Sequence, residues 1–295
     1  MRSGVLASAF VIASVIQSTC APGHAGEVAQ PTHKTVLGSL FGINETPSDA
    51  EESDEEGRID PDRPHLPEAS TTVGKGRIVL ESGYTFTEKG SSLRSHSFPE
   101  ALLRIGLFAE WFEFRIGQNF LSADQTVGGL RTTANGAQDL YLGAKFALIE
   151  QWRYVPEVAL IPQMTVPTGS KSLTAGRVLP GINVDCSWKV VPRLFSIEVV
   201  IATNQVRDDI HQSHLEVTTG LTSVVQLTHN LEAFVEWDAF YSATATRAAS
   251  APRDYAVGGL VYFITKNLEV DVRAGVGLTR QANDVLAGTG FAVRY

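Results

Sequence analysis

From Gly76 to Tyr295 the sequence takes on a period of two, with apolar and polar residues alternating in segment after segment. A period of two puts successive side chains on opposite faces of an extended strand; a helix would scatter the same charges around its surface. The clearest stretch is 268–279. Leu268, Val270, Val272, Ala274, Val276 and Leu278 form one face, and Glu269, Asp271, Arg273, Gly275, Gly277 and Thr279 the other. Segments 215–227 and 139–148 repeat the pattern. Continuing the reading predicts twelve strands, near 76–87, 98–109, 111–122, 137–149, 154–166, 178–190, 194–205, 214–228, 230–243, 254–265, 267–279 and 286–295. The chain is therefore expected to be all-β.

The connections add topology. After even-numbered strands they are tight, as at Glu110-Trp111, Val191-Pro192-Arg193, His229-Asn230 and Lys266-Asn267. After odd-numbered strands they are longer and polar, including 88–97, 123–136, 168–177, 206–213, 243–253 and 280–285. Short turns at one end and longer loops at the other mark an up-and-down antiparallel transmembrane β-barrel of about twelve strands. An even number of strands returns both ends to the same side. No window holds 18 consecutive apolar residues, so no helical span is expected.

The first residues read as an export signal: Arg2, then an apolar run from Leu6 to Ile16, then Gly23 and Ala25 at the −3 and −1 positions of a cleavage site. Cys20 lacks the aliphatic residue three positions before it that a lipidation site would have, and cleavage after Ala25 would leave Cys186 as the only cysteine. The expected division is a signal peptide over 1–25, an acidic, Pro-rich periplasmic linker over 26–75, and an outer-membrane barrel over 76–295. The net charge of −8 is concentrated in the linker. Residues 45–62 hold nine acids against Arg58, while the remainder balances at 23 acids and 23 bases. Such a segment is expected to be solvated and disordered. A basic nucleic-acid surface is excluded, so no nucleic-acid partner is expected.

Opposite the apolar stripe lies a charged face. Its candidate pore-lining residues are Glu81, Arg104, Arg115, Glu232, Glu236, Asp238, Glu269, Asp271 and Arg273, flanked by Glu113, Asp139, Lys145, Glu157, Asp185, Lys189, Glu198, Glu216 and Arg294. Twelve of these eighteen are acidic, so an open lumen would favour cations. Alternatively, the groups pair with one another and close the barrel. Tyr84, Phe86, Trp111, Trp188, Tyr255 and Tyr295 near strand ends are assigned to aromatic girdles, with outer-membrane lipid as the partner of that face.

The last strand ends with Gly290, Phe291, Val293 and Tyr295, in Gly-x-x-Φ-x-Φ spacing with a terminal aromatic, where Φ is apolar. It resembles the carboxy-terminal signal read by barrel-assembly machinery, a second expected partner. A further block, Asp60-Pro61-Asp62-Arg63-Pro64-His65-Leu66-Pro67-Glu68-Ala69-Ser70, is followed by Thr72-Val73-Gly74-Lys75-Gly76 and Leu80-Glu81-Ser82-Gly83-Tyr84. It resembles the opening "TDRPDFTES…TVGxGxxQLExGYxY" of the MetA-pathway of phenol degradation family, departing at His65-Leu66-Pro67 and Val79. The resemblance implies an outer-membrane channel or transporter for small-molecule solutes, aromatic and hydrophobic compounds included.

No catalytic, cofactor or metal site is expected. Asp208, Asp209, His211 and His214 offer ligand types, but in a polar loop. Ser213–His214 and Ser97–His96 are sequence neighbours, which on a strand point to opposite faces. A barrel hydrolase and an envelope-anchoring barrel without transport remain as alternatives to the channel.

Overall fold

The computed structural model describes residues 34–41, 57–207, 213–242 and 251–295. The expected signal peptide with Cys20, the acidic run 45–56, and the loop residues Asp208, Asp209 and His211 lie outside them. A six-residue helix α1 (Val36–Phe41) is followed by thirteen strands. They are β1 (Ile78–Lys89), β2 (Leu93–Gly106), β3 (Phe112–Val127), β4 (Leu130–Ala137), β5 (Leu140–Ile149), β6 (Glu157–Val166), β7 (Leu179–Val191), β8 (Phe195–Arg207), β9 (Ser213–Thr228), β10 (Leu231–Ser242), β11 (Arg253–Thr265), β12 (Leu268–Gly277) and β13 (Val285–Arg294).

Apart from β4 and β5, which both pair with β3, each strand pairs antiparallel with its neighbours in sequence, and β1 pairs with β13, from Val79 opposite Arg294 to Glu88 opposite Val285. The sheet is therefore a closed barrel, with β4 paired on one side only, to β3. Strands β4 and β5 are two parts of one crossing, since both lie along β3: β4 against Phe120–Val127 and β5 against Phe112–Gly117. The barrel thus has twelve crossings, as the alternation predicts. The break falls at Gln138-Asp139, where the Asp139 carboxylate accepts N–H bonds from Gly169 and Ala175 at 3.0 and 2.8 Å. Asp139 therefore pins the 167–178 connection.

Two expected loops are corrected. Residues 88–97 and 123–136 are mostly strand, with hairpin tips at 90–92 and 128–129. Gly90, Gly128 and Gly129 take φ of 53°, 58° and 84°, the left-handed conformation that lets a tight hairpin replace a loop.

Burial fixes the direction of the two faces. Val235, Leu260, Tyr262, Ile264, Val272 and Val276 are exposed, while Glu81, Arg104, Glu113, Lys145 and Glu269 on the alternate positions are at most 1% exposed. Buried charge with exposed aliphatics inverts the order of a water-soluble fold. It is the order of a barrel that meets lipid outside. Phe108, Trp111, Phe112 and Phe146 stack at the end of the barrel that carries the chain terminus, with ring centroids of Phe108 and Phe112 4.6 Å apart. Tyr84 and Phe86 pack on His96 near the other end. Tyr255 is a correction: it faces inward, 9% exposed, and its hydroxyl accepts the Asn283 N–H at 3.1 Å. It belongs to an inner apolar cluster with Phe234, Val257 and Ala282, in which the polar handle of a tyrosine still finds a partner.

Candidate functional site

Residues 57–76 have no helix or strand and carry prolines at 61, 64 and 67. Without secondary structure their backbone amides need partners elsewhere, because a buried unpaired N–H costs about 1–3 kcal/mol. The barrel wall supplies them as carboxylates. Asp62 N donates to Glu81 on β1 at 3.0 Å, Leu66 N to Glu236 on β10 at 2.8 Å, and Glu68 N to Asp185 on β7 at 2.9 Å. Val73 N donates to Glu113 on β3 at 2.9 Å, and Lys75 N to Glu110 beyond β2 at 3.0 Å. A segment that bonds the inward side chains of strands all around a closed ring lies within that ring. The sequence placed residues 57–75 in a linker; these residues occupy the lumen.

The segment's side chains divide between two walls. Asp62 points at the basic one. Its carboxylate takes Lys145 Nζ at 2.6 Å, Arg115 Nη2 at 2.6 Å and Arg104 Nε at 3.2 Å. Burial raises a carboxyl's pKa, but these three cations outweigh it and hold Asp62 well below the usual carboxylate range. Glu68 pairs with Arg115 from the same side. Arg104 also grips Glu113 and Glu81 at 2.9 and 3.1 Å, so the cluster is cross-linked within the wall as well.

Arg63 points the other way. It passes between Gly83 of β1 and Gly290 of β13, which face each other in register, and donates to Asp271 at 3.0 and 3.3 Å. A Cβ at either glycine would sit 2.3 Å from the Arg63 side chain. The glycines are therefore the slot through which the guanidinium reaches the acidic wall. Burial lowers the Arg63 pKa, but Asp271 and Glu100 raise it further. His65 packs edge-on to Phe234 at 5.5 Å, donates Nδ1–H to the Pro67 carbonyl at 2.8 Å and lies 3.3 Å from Glu198. At the terminus-bearing end, Arg58 pairs with Glu232 at 2.6 Å, and Ile59 packs among Val73, Val79, Val261 and Phe263.

All nine predicted pore-lining residues carry side chains on the inner face, and most hold the segment. Glu81, Arg104, Arg115, Glu232, Glu236 and Asp271 bond it directly, as does Arg273, which binds the Pro64 carbonyl and also Thr85 Oγ1. Asp238 and Glu269 are buried on the same face, at 7% and 0% exposure. The acidic excess thus has a structural use that sequence reasoning missed, as acceptors for the backbone of 62–75. The missed partners are Asp62, Arg63, His65 and Glu68. Their only signal in the sequence is an ordered Asp-Arg-Pro block before the first strand.

Of the residues expected to form an assembly signal, Phe291 and Tyr295 are exposed at 38% and 77%, and Gly290 lines the Arg63 slot. Among the described residues, no group of three or more His, Cys, Asp and Glu is placed to hold a metal. Asn183, Gln163 and Asn204 form an inner amide cluster, with bonds of 2.9 and 2.8 Å from Gln163.

The chain is similar in structure to the COG4313 outer membrane channel of Pseudomonas putida F1, with a TM-score of 0.66 and 10% identity over 79% of this chain and 100% of that one. It is also similar to the translocator domain of the autotransporter NalP from Neisseria meningitidis, with a TM-score of 0.46 and 10% identity over 74% of this chain and 88% of that one. No curated protein matches the chain. The family model described as "Putative MetA-pathway of phenol degradation" matches residues 61–295, the lumenal block and the whole barrel. The chain belongs to this family.

Proposed function

We propose that the protein is an outer-membrane channel for passive movement of small solutes, closed at rest by its own residues 57–76. The observation that carries this reading is the lumen itself. Its wall is charged and hydratable, and what fills it is a chain segment tethered at one end, not interdigitated wall side chains. A barrel whose inward charges only cross-linked one another would not need backbone amides from another segment to satisfy Glu236 and Asp185.

When the segment withdraws, Asp185, Glu236 and Asp271 lose their N–H or guanidinium partners and face water, while Glu81 and Glu113 keep Arg104. An acid-rich lumen favours cations over anions. The pore-lining set is then Glu81, Arg104, Arg115, Glu232, Glu236, Asp238, Glu269, Asp271 and Arg273. Residues 1–25 act as the export signal, the terminus-bearing end of the barrel faces the periplasm, and Gly290, Phe291, Val293 and Tyr295 serve barrel-assembly machinery. The family's description mentions phenol, and small aromatic and hydrophobic compounds, which the resemblance of the opening block implies, are the solutes to test first.

The experiment is the reversal potential of the refolded, detergent-purified barrel in a planar bilayer under a KCl gradient. A potential displaced toward the potassium side is expected, moving toward zero in Glu236→Gln. Protein that is folded yet silent under every condition would move the assignment to an envelope-anchoring barrel.

A further inference from the structure

We propose that Arg104, Arg115 and Lys145 form a carboxylate-binding site in the lumen, that Asp62 occupies it as an internal ligand, and that a small aromatic carboxylate competes for it and releases the segment. The proposal builds on the channel reading, because the ligand reaches the site through the lumen.

The geometry is that of a receptor with its ligand attached. Three cations from three adjacent crossings, β2, β3 and β5, are each at most 1% exposed. They converge on one carboxylate that belongs to none of those strands. Lys145 approaches Oδ1, and Arg115 and Arg104 approach Oδ2, so both oxygens are engaged as in strong charge-assisted recognition. The wall's own acids do not saturate the three cations. Glu113 reaches Arg104 at 2.9 Å, but lies 3.6 Å from Arg115 and 3.9 Å from Lys145. Glu81 serves Arg104 alone. Once Asp62 and Glu68 leave, Arg115 and Lys145 keep only Glu113, at 3.6 and 3.9 Å, and the loss of their charge-assisted hydrogen bonds is a penalty on the open state. An incoming carboxylate removes that penalty.

The aromatic preference has a local basis too. Tyr141 projects beside the site, with the Arg115 guanidinium carbon 5.7 Å from its ring centroid. A planar aryl carboxylate can place its charge on Arg115 and Lys145 and its ring against Tyr141. No covalent step is involved.

The affinity seen from outside is the intrinsic affinity reduced by the fraction of molecules whose site is vacant. Removing the internal ligand must therefore tighten external binding. The probe is benzoate, with benzamide as the neutral isostere. It is titrated calorimetrically into the detergent-solubilised full chain and into Asp62→Asn. Asp62→Asn should bind benzoate at least tenfold more tightly than the natural chain, regain thermal stability on adding benzoate, and ignore benzamide. Glu68→Gln, which frees only one bond to Arg115, should show a smaller gain in the same direction and serves if Asp62→Asn does not refold. Equal response to benzoate and benzamide, or no gain in either variant, would overturn the proposal. Binding is read without conductance, so a silent pore with competitive binding would defeat the channel reading and leave this site standing.

Discussion

Gly83→Val tests the lumenal segment without altering any charge. The new side chain would enter the slot that Arg63 uses, where even a Cβ would lie 2.3 Å from the guanidinium. Valine suits a strand, so β1 should keep its pairing with β13. Arg63 is long and flexible and can swing out, but it then loses Asp271 at 3.0 and 3.3 Å and Glu100 at 3.5 Å. Stranding one partner of a buried pair costs about 3–5 kcal/mol. Water entering the lumen will offset part of this, so the low end, about 3 kcal/mol, is the better figure. At 1.4 kcal/mol per tenfold change, the ratio of open to closed molecules should rise about a hundredfold. The assay is single-channel recording at fixed voltage on protein whose gel mobility shows it is folded, compared with the natural chain and with a deletion of residues 27–75. Gly83→Val should have an open-to-closed ratio about a hundred times that of the natural chain, its openings at the deletion variant's conductance level. A folded Gly83→Val that behaves like the natural chain, while the deletion variant conducts strongly, would refute the slot argument.

Four further outcomes follow from the geometry. Burial lowers the His65 pKa, but Glu198, Glu236 and the Pro67 carbonyl outweigh it and raise the value above the ordinary one. The charged ring therefore favours the docked segment. That stabilisation is complete below about pH 6.5, the usual histidine value, and is lost as pH climbs through the raised one. The open fraction should thus grow as pH rises above about 6.5, and His65→Gln should flatten the slope; an unchanged slope would show that His65 is not the titrating group. Val272, half exposed on the lipid face, should cost about 2–4 kcal/mol as Val272→Arg in urea unfolding from vesicles, and little as Val272→Ala. Neither Glu269 carboxylate oxygen has a hydrogen-bond partner, and Asp271 lies two residues along on the same face, so Glu269→Gln should leave stability unchanged or raise it by about 1–3 kcal/mol. Phe291→Ala should lower the yield of assembled barrel in membranes without impairing refolding in detergent; equal losses in both would point to packing instead of recognition.

The barrel was legible because strand alternation is a local signal. For β7 to β13 the expected and observed bounds agree to within two residues, since every second residue there reports the lipid face. The reading failed where that signal weakens. Beyond the bilayer neither face needs to be apolar, so the polar hairpins at 88–97 and 123–136 looked like loops. The break at Gln138-Asp139 is set by Asp139 holding a loop thirty residues away, which no window can show. Residues 57–76 failed for the same reason on a larger scale. Their composition is that of a solvated linker, and their order comes from partners more than 200 residues distant, 208 for Arg63 and Asp271. The inward charges were found, but not what they hold. Backbone amides leave no trace in a residue pattern, so carboxylates that accept them read as a surplus. Tyr255 was placed on the lipid face because a strand-end aromatic usually belongs there; its partner, the Asn283 N–H, comes from a loop folded inward.

The central claim is that the lumen is a solute path closed by residues 57–76. The most direct measurement is the conductance of the full chain beside a variant lacking residues 27–75, both folded and both in planar bilayers. Small, infrequent steps in the full chain and large, persistent ones in the shortened chain are the predicted result. Equal conductance in the two, or silence from the shortened chain, would contradict it.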